Sequence, residues 1–331
     1  METEIAAAKT PNERAQAISR ALSLLHAGEV VALPTETVYG LAADALSPDA
    51  VLKIFETKER PDFDPLIVHL PERTWLDRVT AMSAETRPLV DRLIDRFWPG
   101  PLTILLLKSE LIPDIVTAGL TTVAVRMSAH PLFRQIVREF DRPLAAPSAN
   151  RFGRISPTSA HHVYEELSGR IPLIVDGGPT EHGIESTIVA PRDHGLTILR
   201  KGPVTREELG ELAEVHSAPQ SAATRPEAPG QMPSHYAPRT PLWIAEDLTA
   251  VDVPHGQRFG ALLWSSAPFS ETFVESRRLS TTNDLREAAT NLFRELRELD
   301  RAGLDCIVAE ATPEIGLGAA IMDRLRRAAH R

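Results

Sequence analysis

The stretch VLKIFETKERPDFDPLIVHL, residues 51–70, reads as a helix, then a loop fixed by prolines, then a strand. Ser47-Pro48 supplies the N-cap and first turn of that helix. Lys58 and Arg60 leave its C-terminal end, where cations complement the helix dipole, and LIVHL at 66–70 is a short apolar strand. Helix and strand in close succession are the repeating unit of an α/β fold. The alternation extends in both directions. Ile18, Leu22 and Leu25 keep helical spacing up to Gly28, and VVAL at 30–33 is a strand. SAETRPLVDRLIDRFW is helical until Pro99-Gly100-Pro101 stops it. LTILLLK and TVAVRM are strands, PLFRQIVREF is a helix, and PLIVD, STIVA and LTILRK are strands, with PVTREELGELA as a closing helix. Some strands are joined through helices and others through short turns, so the sheet is expected to be mixed.

The composition changes after residue 213. HSAPQSAATRPEAPGQMPSHYAPRTP has a proline every few residues and no periodicity, which predicts an extended linker over 214–240. PLWIA, FGALLW, a long helix from about Asp284 to Ala302, CIVAEA and a final helix GAAIMDRLRRAA follow. The expected organisation is a first α/β domain over 1–213, the linker, and a smaller, Rossmann-like α/β domain over 241–331.

A chain of 331 residues with 43% apolar and 24% charged residues is long enough for two domains with cores of their own. Its single cysteine, Cys306, excludes an internal disulfide or a cysteine metal cluster and reads as a buried strand residue. METEIAAAKT has neither the basic flank nor the apolar stretch of a targeting signal, and no apolar run reaches the ~20 residues of a membrane span. A cytoplasmic protein is expected. The net charge of −9 argues against a sequence-blind nucleic-acid binder.

No P-loop and no HExxH motif is present, and GLGAAI at 316–321 is too incomplete for a dinucleotide fingerprint. His161-His162 are adjacent, do not share a helix face, and read as a surface pair. Four loops stand out: PTETVYGLA at 34–42, KERPDFDPLIVHL at 58–70, APSANRFGRISP at 146–157, and GIESTIV at 183–189 leading to LRKG at 199–202. They place Lys58, Arg60, Arg126 and Arg200 at or near strand ends, where open α/β sheets bind ligands. Hydroxyls of Thr37, Ser148, Ser156 and Ser186 come from similar positions. Cations, hydroxyls and small residues together suit a phosphate-bearing ligand.

KxR at 58–60, SxN at 148–150, PTETVYGLA before them and GIEST after them resemble the YrdC-like threonylcarbamoyl-AMP synthase family. The resemblance spans about 15–210, and PG…HYAP at 229–238 with the small domain matches its longer, two-domain branch. It implies a YrdC-like twisted open sheet with a basic cavity, and synthesis of threonylcarbamoyl-AMP from L-threonine, bicarbonate and ATP with Mg²⁺. No tightly bound organic cofactor and no protein metal ligand is implied. The product would pass to a transferase complex that modifies tRNA beside the anticodon, with tRNA binding itself weak. Thr37, His69, Arg126, Ser186 and the backbone of Ala146 would hold L-threonine. Arg60, Asp64, Thr122, Ser148, Ser156, Arg200 and Tyr236 would hold ATP, with Lys58, Arg60 and Asn150 at the reacting groups. Tyr236 would reach the nucleotide from the linker, or else pack on the second domain.

Three positions depart from the family pattern. Asp64 stands where asparagine is common, Ser128 where a proline often follows, and Met232 where a basic residue is common. The alternatives are an RNA-binding or ribosome-maturation module, against which the net charge argues, and a hydrogenase-maturation carbamoyl transferase, whose zinc fingers cannot be built from a single cysteine.

Overall fold

The computed structural model describes residues 1–192, 195–218, 226–232, 234–264 and 272–330. The chain divides into two compact units. The first comprises Met1–Phe152, Pro157–Thr180 and Glu185–Gln231; the second comprises Gly153–Ser156, Glu181–Ile184 and Met232–Arg331.

The first unit runs β1 (Glu4–Ala7), α1 (Pro11–His26), β2 (Val31–Leu33), β3 (Gly40–Asp44), α2 (Pro48–Lys58), β4 (Ile67–His69), α3 (Leu76–Val79), α4 (Arg87–Phe97) and β5 (Leu102–Leu107). It continues with β6 (Thr122–Arg126), α5 (Pro131–Phe140), β7 (Leu144–Ala145), α6 (Ala160–Leu167), β8 (Leu173–Asp176), β9 (Thr187–Arg192), β10 (Gly195–Arg200), α7 (Arg206–Gly210) and β11 (Val215–Ser217). The strands form one open sheet in the order β1-β8-β2-β3-β7-β4-β6-β5-β9-β10-β11. It is mixed: β4 and β6 run parallel, β6 and β5 antiparallel, β5 and β9 parallel, and β9 and β10 antiparallel.

Capping explains where the helices start. Thr10 and Glu13 form a capping box on α1, and Ser47 Oγ accepts from Ala50 N at the start of α2. The α2 helix stops at Glu59, which turns left-handed at φ 54°. That turn redirects the chain into the proline loop before β4.

Strand alternation gives the sheet two chemically different faces. On β5, Leu102, Ile104 and Leu106 enter the main core with Val68, Val123, Val125 and Val189. Leu105 points the other way, into a smaller cluster with Ile67, Ala124, Ile188, Ala190 and Leu199. Ala228, from the proline-rich stretch, is fully buried in that second cluster. The stretch 214–240 is therefore divided between the two units and does not stand apart from both; 219–225 and 233 lie outside the described residues.

The second unit contains β12 (Leu242–Ala245), β13 (Phe259–Leu263), β14 (Glu275–Arg278), α8 (Leu285–Arg301), β15 (Cys306–Glu310) and α9 (Leu317–Ala329). Its sheet has the order β12-β15-β13-β14, with every pairing parallel, in keeping with a small Rossmann-like domain. Two loops from earlier in the chain are built into it. Gly153 O accepts from Ala237 N at 2.8 Å, Ile155 O accepts from Arg297 Nη2, and Glu181 O accepts from Thr290 Oγ1 at 2.8 Å. Among the described residues no helix is long and apolar enough to cross a membrane.

Candidate active site

The face of the sheet that carries Leu105 also carries a polar row. His69 on β4 and Thr103 on β5 both lie opposite Arg126 on β6, so the three side chains share one face. The PTETVY loop between β2 and β3 meets this row. Thr35 Oγ1 accepts from the N–H groups of Thr37 and Val38 at 3.1 and 3.2 Å, a local turn that points Thr37 inward. Arg126 Nη1 donates to Thr37 Oγ1 at 3.0 Å and Nε to Gly100 O at 3.2 Å. Its Nη2 lies 2.6 Å from Glu36 Oε1, a charge contact without an aligned hydrogen bond. Ser128 Oγ donates to the other Glu36 oxygen. The Arg126 fork is thus held on three sides.

The titratable groups of this row are fixed in charge. Burial raises the Glu36 pKa, but Arg126 and the Ser128 hydroxyl outweigh it and leave the carboxyl at about 2. Burial and then Arg126 lower His69 to about 3, so its imidazole is neutral. Among the described residues its Nδ1 has no hydrogen-bond partner.

Ser186 closes the row from the start of β9. Its Oγ lies 2.8 Å from Thr103 Oγ1 and accepts from Arg200 Nη2 at 3.0 Å. Arg200 Nε also donates to Ser186 O, and Nη1 donates to Pro229 O at 3.2 Å. Gly202 permits this packing. A Cβ there would lie 2.4 Å from Thr187 N and 2.5 Å from Glu185 O. Gln231 fastens the same stretch: Oε1 accepts from Glu227 N and Ala228 N, and Nε2 donates to Leu199 O at 3.4 Å.

A second cluster forms where the KER and SANRF segments meet. Lys58 Nζ donates to Ser148 O at 2.6 Å and Asn150 O at 2.5 Å. Glu59 pairs with Arg151 at 2.8 Å, and the Arg60 guanidinium lies over the Phe152 ring at 5.9 Å. Every residue of KER therefore contacts the SANRF loop. Arg60 Nε donates to Asp64 O at 3.1 Å and Nη2 to Pro65 O at 2.8 Å, so the cation closes its own proline loop. Burial raises the Asp64 pKa, against the charges of Arg60, Lys58 and Arg200. Burial and then Arg60 lower Lys58 well below the usual lysine range.

Thr37, His69, Arg126 and Ser186 thus meet on the polar row, and Lys58, Arg60, Asp64 and Asn150 at the second cluster. The Arg200 side chain joins the row through Ser186. The Ala146 N–H donates to Ile67 O, which holds its backbone beside His69. The Ser148 side chain is half-buried beside the Lys58 contact. Thr122 is on the same face as Arg126 but four residues away, roughly 13 Å along the strand. It lines a small cleft of about 180 Å³ with Leu107, Met82 and Arg192. Ser156 and Tyr236 belong to the second unit. There Tyr236 is buried, stacked on Phe293 at 5.4 Å, with Arg324 over its ring at 5.1 Å. Among the described residues no cluster of three or more metal-ligating side chains occurs; His161 is exposed but His162 is buried in α6, so the two are not the surface pair expected from sequence.

Glu36 and Thr103 are absent from the residues singled out by sequence. A carboxylate in PTETVY gave a weak signal. A lone hydroxyl inside LTILLL gave a stronger one, because a buried polar group needs a partner.

A family profile described as telomere recombination, covering the Sua5, YciO and YrdC proteins, matches residues 23–202. A second, described as the threonylcarbamoyl-AMP synthase C-terminal domain, matches 204–330. The threonylcarbamoyl-AMP synthase of Pyrococcus abyssi is 41% identical over 93% of this chain and 92% of its own length. That of Bacillus subtilis is 41% identical over 94% and 92%. The crystal structure of P. abyssi Sua5 complexed with L-threonine superposes with a TM-score of 0.89 at 38% identity, over 99% of this chain and 98% of that one. Both units of the chain and nearly its full length are matched by one kind of enzyme, and the chain belongs to the threonylcarbamoyl-AMP synthase family.

Proposed function

We propose that the chain joins L-threonine, bicarbonate or CO₂, and ATP into threonylcarbamoyl-AMP with release of pyrophosphate. The observation that carries this reading is the polar row, where Arg126 holds Thr37 Oγ1 and a second cation, Arg200, is bonded to Ser186 Oγ. In this reading Arg126 is the carboxylate-type anchor, and Arg200 with Lys58 and Arg60 makes up the phosphate-type anchor. The resemblance to a protein that binds L-threonine supports the assignment of the first anchor.

In this reading the threonine carboxylate takes Arg126, Thr37 and Ser186. Neutral His69 and the Ala146 carbonyl accept from its amine or hydroxyl. Arg60, Arg200, Ser148, Thr122 and Asp64 serve ATP. The neutral amine attacks CO₂ and gives up a proton, or attacks bicarbonate with loss of water, to form the N–C bond of a carbamate. A carbamate oxygen then attacks the α-phosphate in line and pyrophosphate leaves. No covalent enzyme intermediate is needed, so catalysis rests on positioning and on cations at the developing charge. Lys58 contributes by fixing the Ser148–Asn150 backbone.

Mg²⁺ bound with ATP would supply neutralisation of phosphate charge. Asp64 could hold it through one oxygen: its carboxylate is buried, Oδ2 is already paired with Arg60 Nη2 at 2.8 Å, Oδ1 has no hydrogen-bond partner among the described residues, and hard oxygen donors suit this ion. The product would feed the threonylcarbamoyl transfer that modifies tRNA beside the anticodon, in the cytoplasm.

The test is pyrophosphate release from ATP. It should require L-threonine and bicarbonate together. Equal release with either omitted would refute the proposal, and salt-dependent RNA binding without this turnover would favour an RNA-binding module.

A further inference from the structure

Thr103 is fully buried, on the site face of an otherwise apolar strand. Its hydroxyl can donate one hydrogen bond and accept others. Among the described residues its one hydrogen bond is the 2.8 Å contact with Ser186 Oγ. Ser186 Oγ also accepts from Arg200 Nη2, and a guanidinium can only donate.

These facts decide the direction of the Thr103–Ser186 bond. If Ser186 donated, the Thr103 proton would face no acceptor. A buried donor left in that state pays its full desolvation penalty with nothing in return. If Thr103 donates, Ser186 accepts from both Thr103 and Arg200. Its two lone pairs are then filled, and its own proton turns away from both partners. Thr103 also lies directly opposite Arg126. Ser186 and Arg126 then flank it as a pair of donors.

We infer that Thr103 is a positioning residue that fixes Ser186 as a hydrogen-bond donor, so that the Arg126 end of the site selects a group that only accepts, the carboxylate of the amino acid. This rests on the proposal that Arg126 and Ser186 hold threonine. Without Thr103, Ser186 regains the freedom to accept, and discrimination against a carboxamide weakens.

The experiment compares L-threonine with L-threoninamide as competing ligands of the full chain in the presence of ATP. Wild type, Thr103→Val and Thr103→Ser are measured by calorimetric titration. Thr103→Val should narrow the preference for the carboxylate about 3- to 10-fold, the range of one hydrogen bond. ATP affinity should stay within about 2-fold, because Arg200 keeps its bond to Ser186 O. Thr103→Ser should restore the wild-type preference. Thr103→Ala replaces the valine variant if that does not fold. A preference unchanged from wild type, including one too large to measure in both, overturns the inference, as does equal weakening of both ligands. Failure of wild type to bind threonine would overturn the threonine assignment itself.

Discussion

Glu36 Oε1 lies 2.6 Å from Arg126 Nη2 with both side chains buried. Neither charge would be tolerated there alone, because breaking a buried pair leaves an uncompensated ion. The pair also explains how an arginine can wait, oriented, for a substrate carboxylate. Gly100 O, Thr37 Oγ1 and Glu36 fix the plane of its fork.

Glu36→Gln should therefore cost about 3 kcal/mol of stability at pH 7, from a carboxyl held at about 2 against an ordinary 4.5. The folded value is the lower one. This stability is present above about pH 4.5 and is lost as the pH falls towards 2. Urea unfolding across that range should show the wild type and the variant converging in acid. A difference that stays constant with pH would assign the cost to packing alone.

His69 should give a different acid response. Burial and Arg126 hold its folded pKa at about 3, against 6.5 for the free imidazole. The unfolded chain takes up the proton first, so stability declines as the pH falls from 6.5 towards 3. His69→Asn should flatten that slope. Because the imidazole is neutral throughout, threonine affinity measured between pH 6 and 8 should show no inflection near 6.5. Such an inflection would mean that His69 titrates in the site.

The sequence and the structure agree most closely where period and capping act locally. PLFRQIVREF is helical from end to end, and LTILLL is a strand. GLAAD reads on from the PTETVY turn, yet it is strand β3, because pairing with β2 overrides its small side chains. The two-residue β7 and the short α6 follow from tertiary partners that no local pattern announces. The candidate site was legible as residue types at strand ends. Its wiring was not. The direction of the Lys58 ammonium, onto two loop carbonyls, depends on a contact 90 residues or more distant in the chain. The burial of Tyr236 against Phe293 is likewise a long-range result.

Lys58→Met should lower turnover by roughly 10²-fold or more, the scale of losing one preorganised group. It removes the donor to Ser148 O and Asn150 O and frees the loop that they hold. Amide exchange over residues 148–152 should rise in parallel. Lys58→Arg should not rescue, because the site is fully buried around a compact ammonium. Normal exchange together with a large loss of rate would give Lys58 a direct chemical role.

Arg60→Ala should also lower turnover by roughly 10²-fold or more. Its guanidinium bonds to Asp64 O and Pro65 O, so it is more than a helix cap. Near-normal rates in a folded variant would remove Arg60 from the site.

The stretch from 226 to 231 should strengthen nucleotide binding through Arg200. Ala228 fills the apolar cluster on the site face, Gln231 ties its own turn to Leu199 O, and Pro229 O accepts from Arg200 Nη1. An arginine held on two sides loses less freedom when a phosphate arrives. Two truncations isolate the effect. A chain ending at Gln231 keeps the stretch, and one ending at Ser217 loses it. Both lose the same partners of 153–156 and 181–184, which belong to the second unit, so that loss cancels in the comparison. The longer chain should bind ATP about 3- to 10-fold more tightly, the value of one hydrogen bond to a held cation. In the full chain, Ala228→Glu should weaken ATP binding to a similar degree by forcing a charge into the cluster. Protease cleavage between Ala218 and Gln231 should slow when ATP and threonine are both present. Equal ATP affinity in the two truncations, with cleavage indifferent to ligands, would reduce this stretch to a tether.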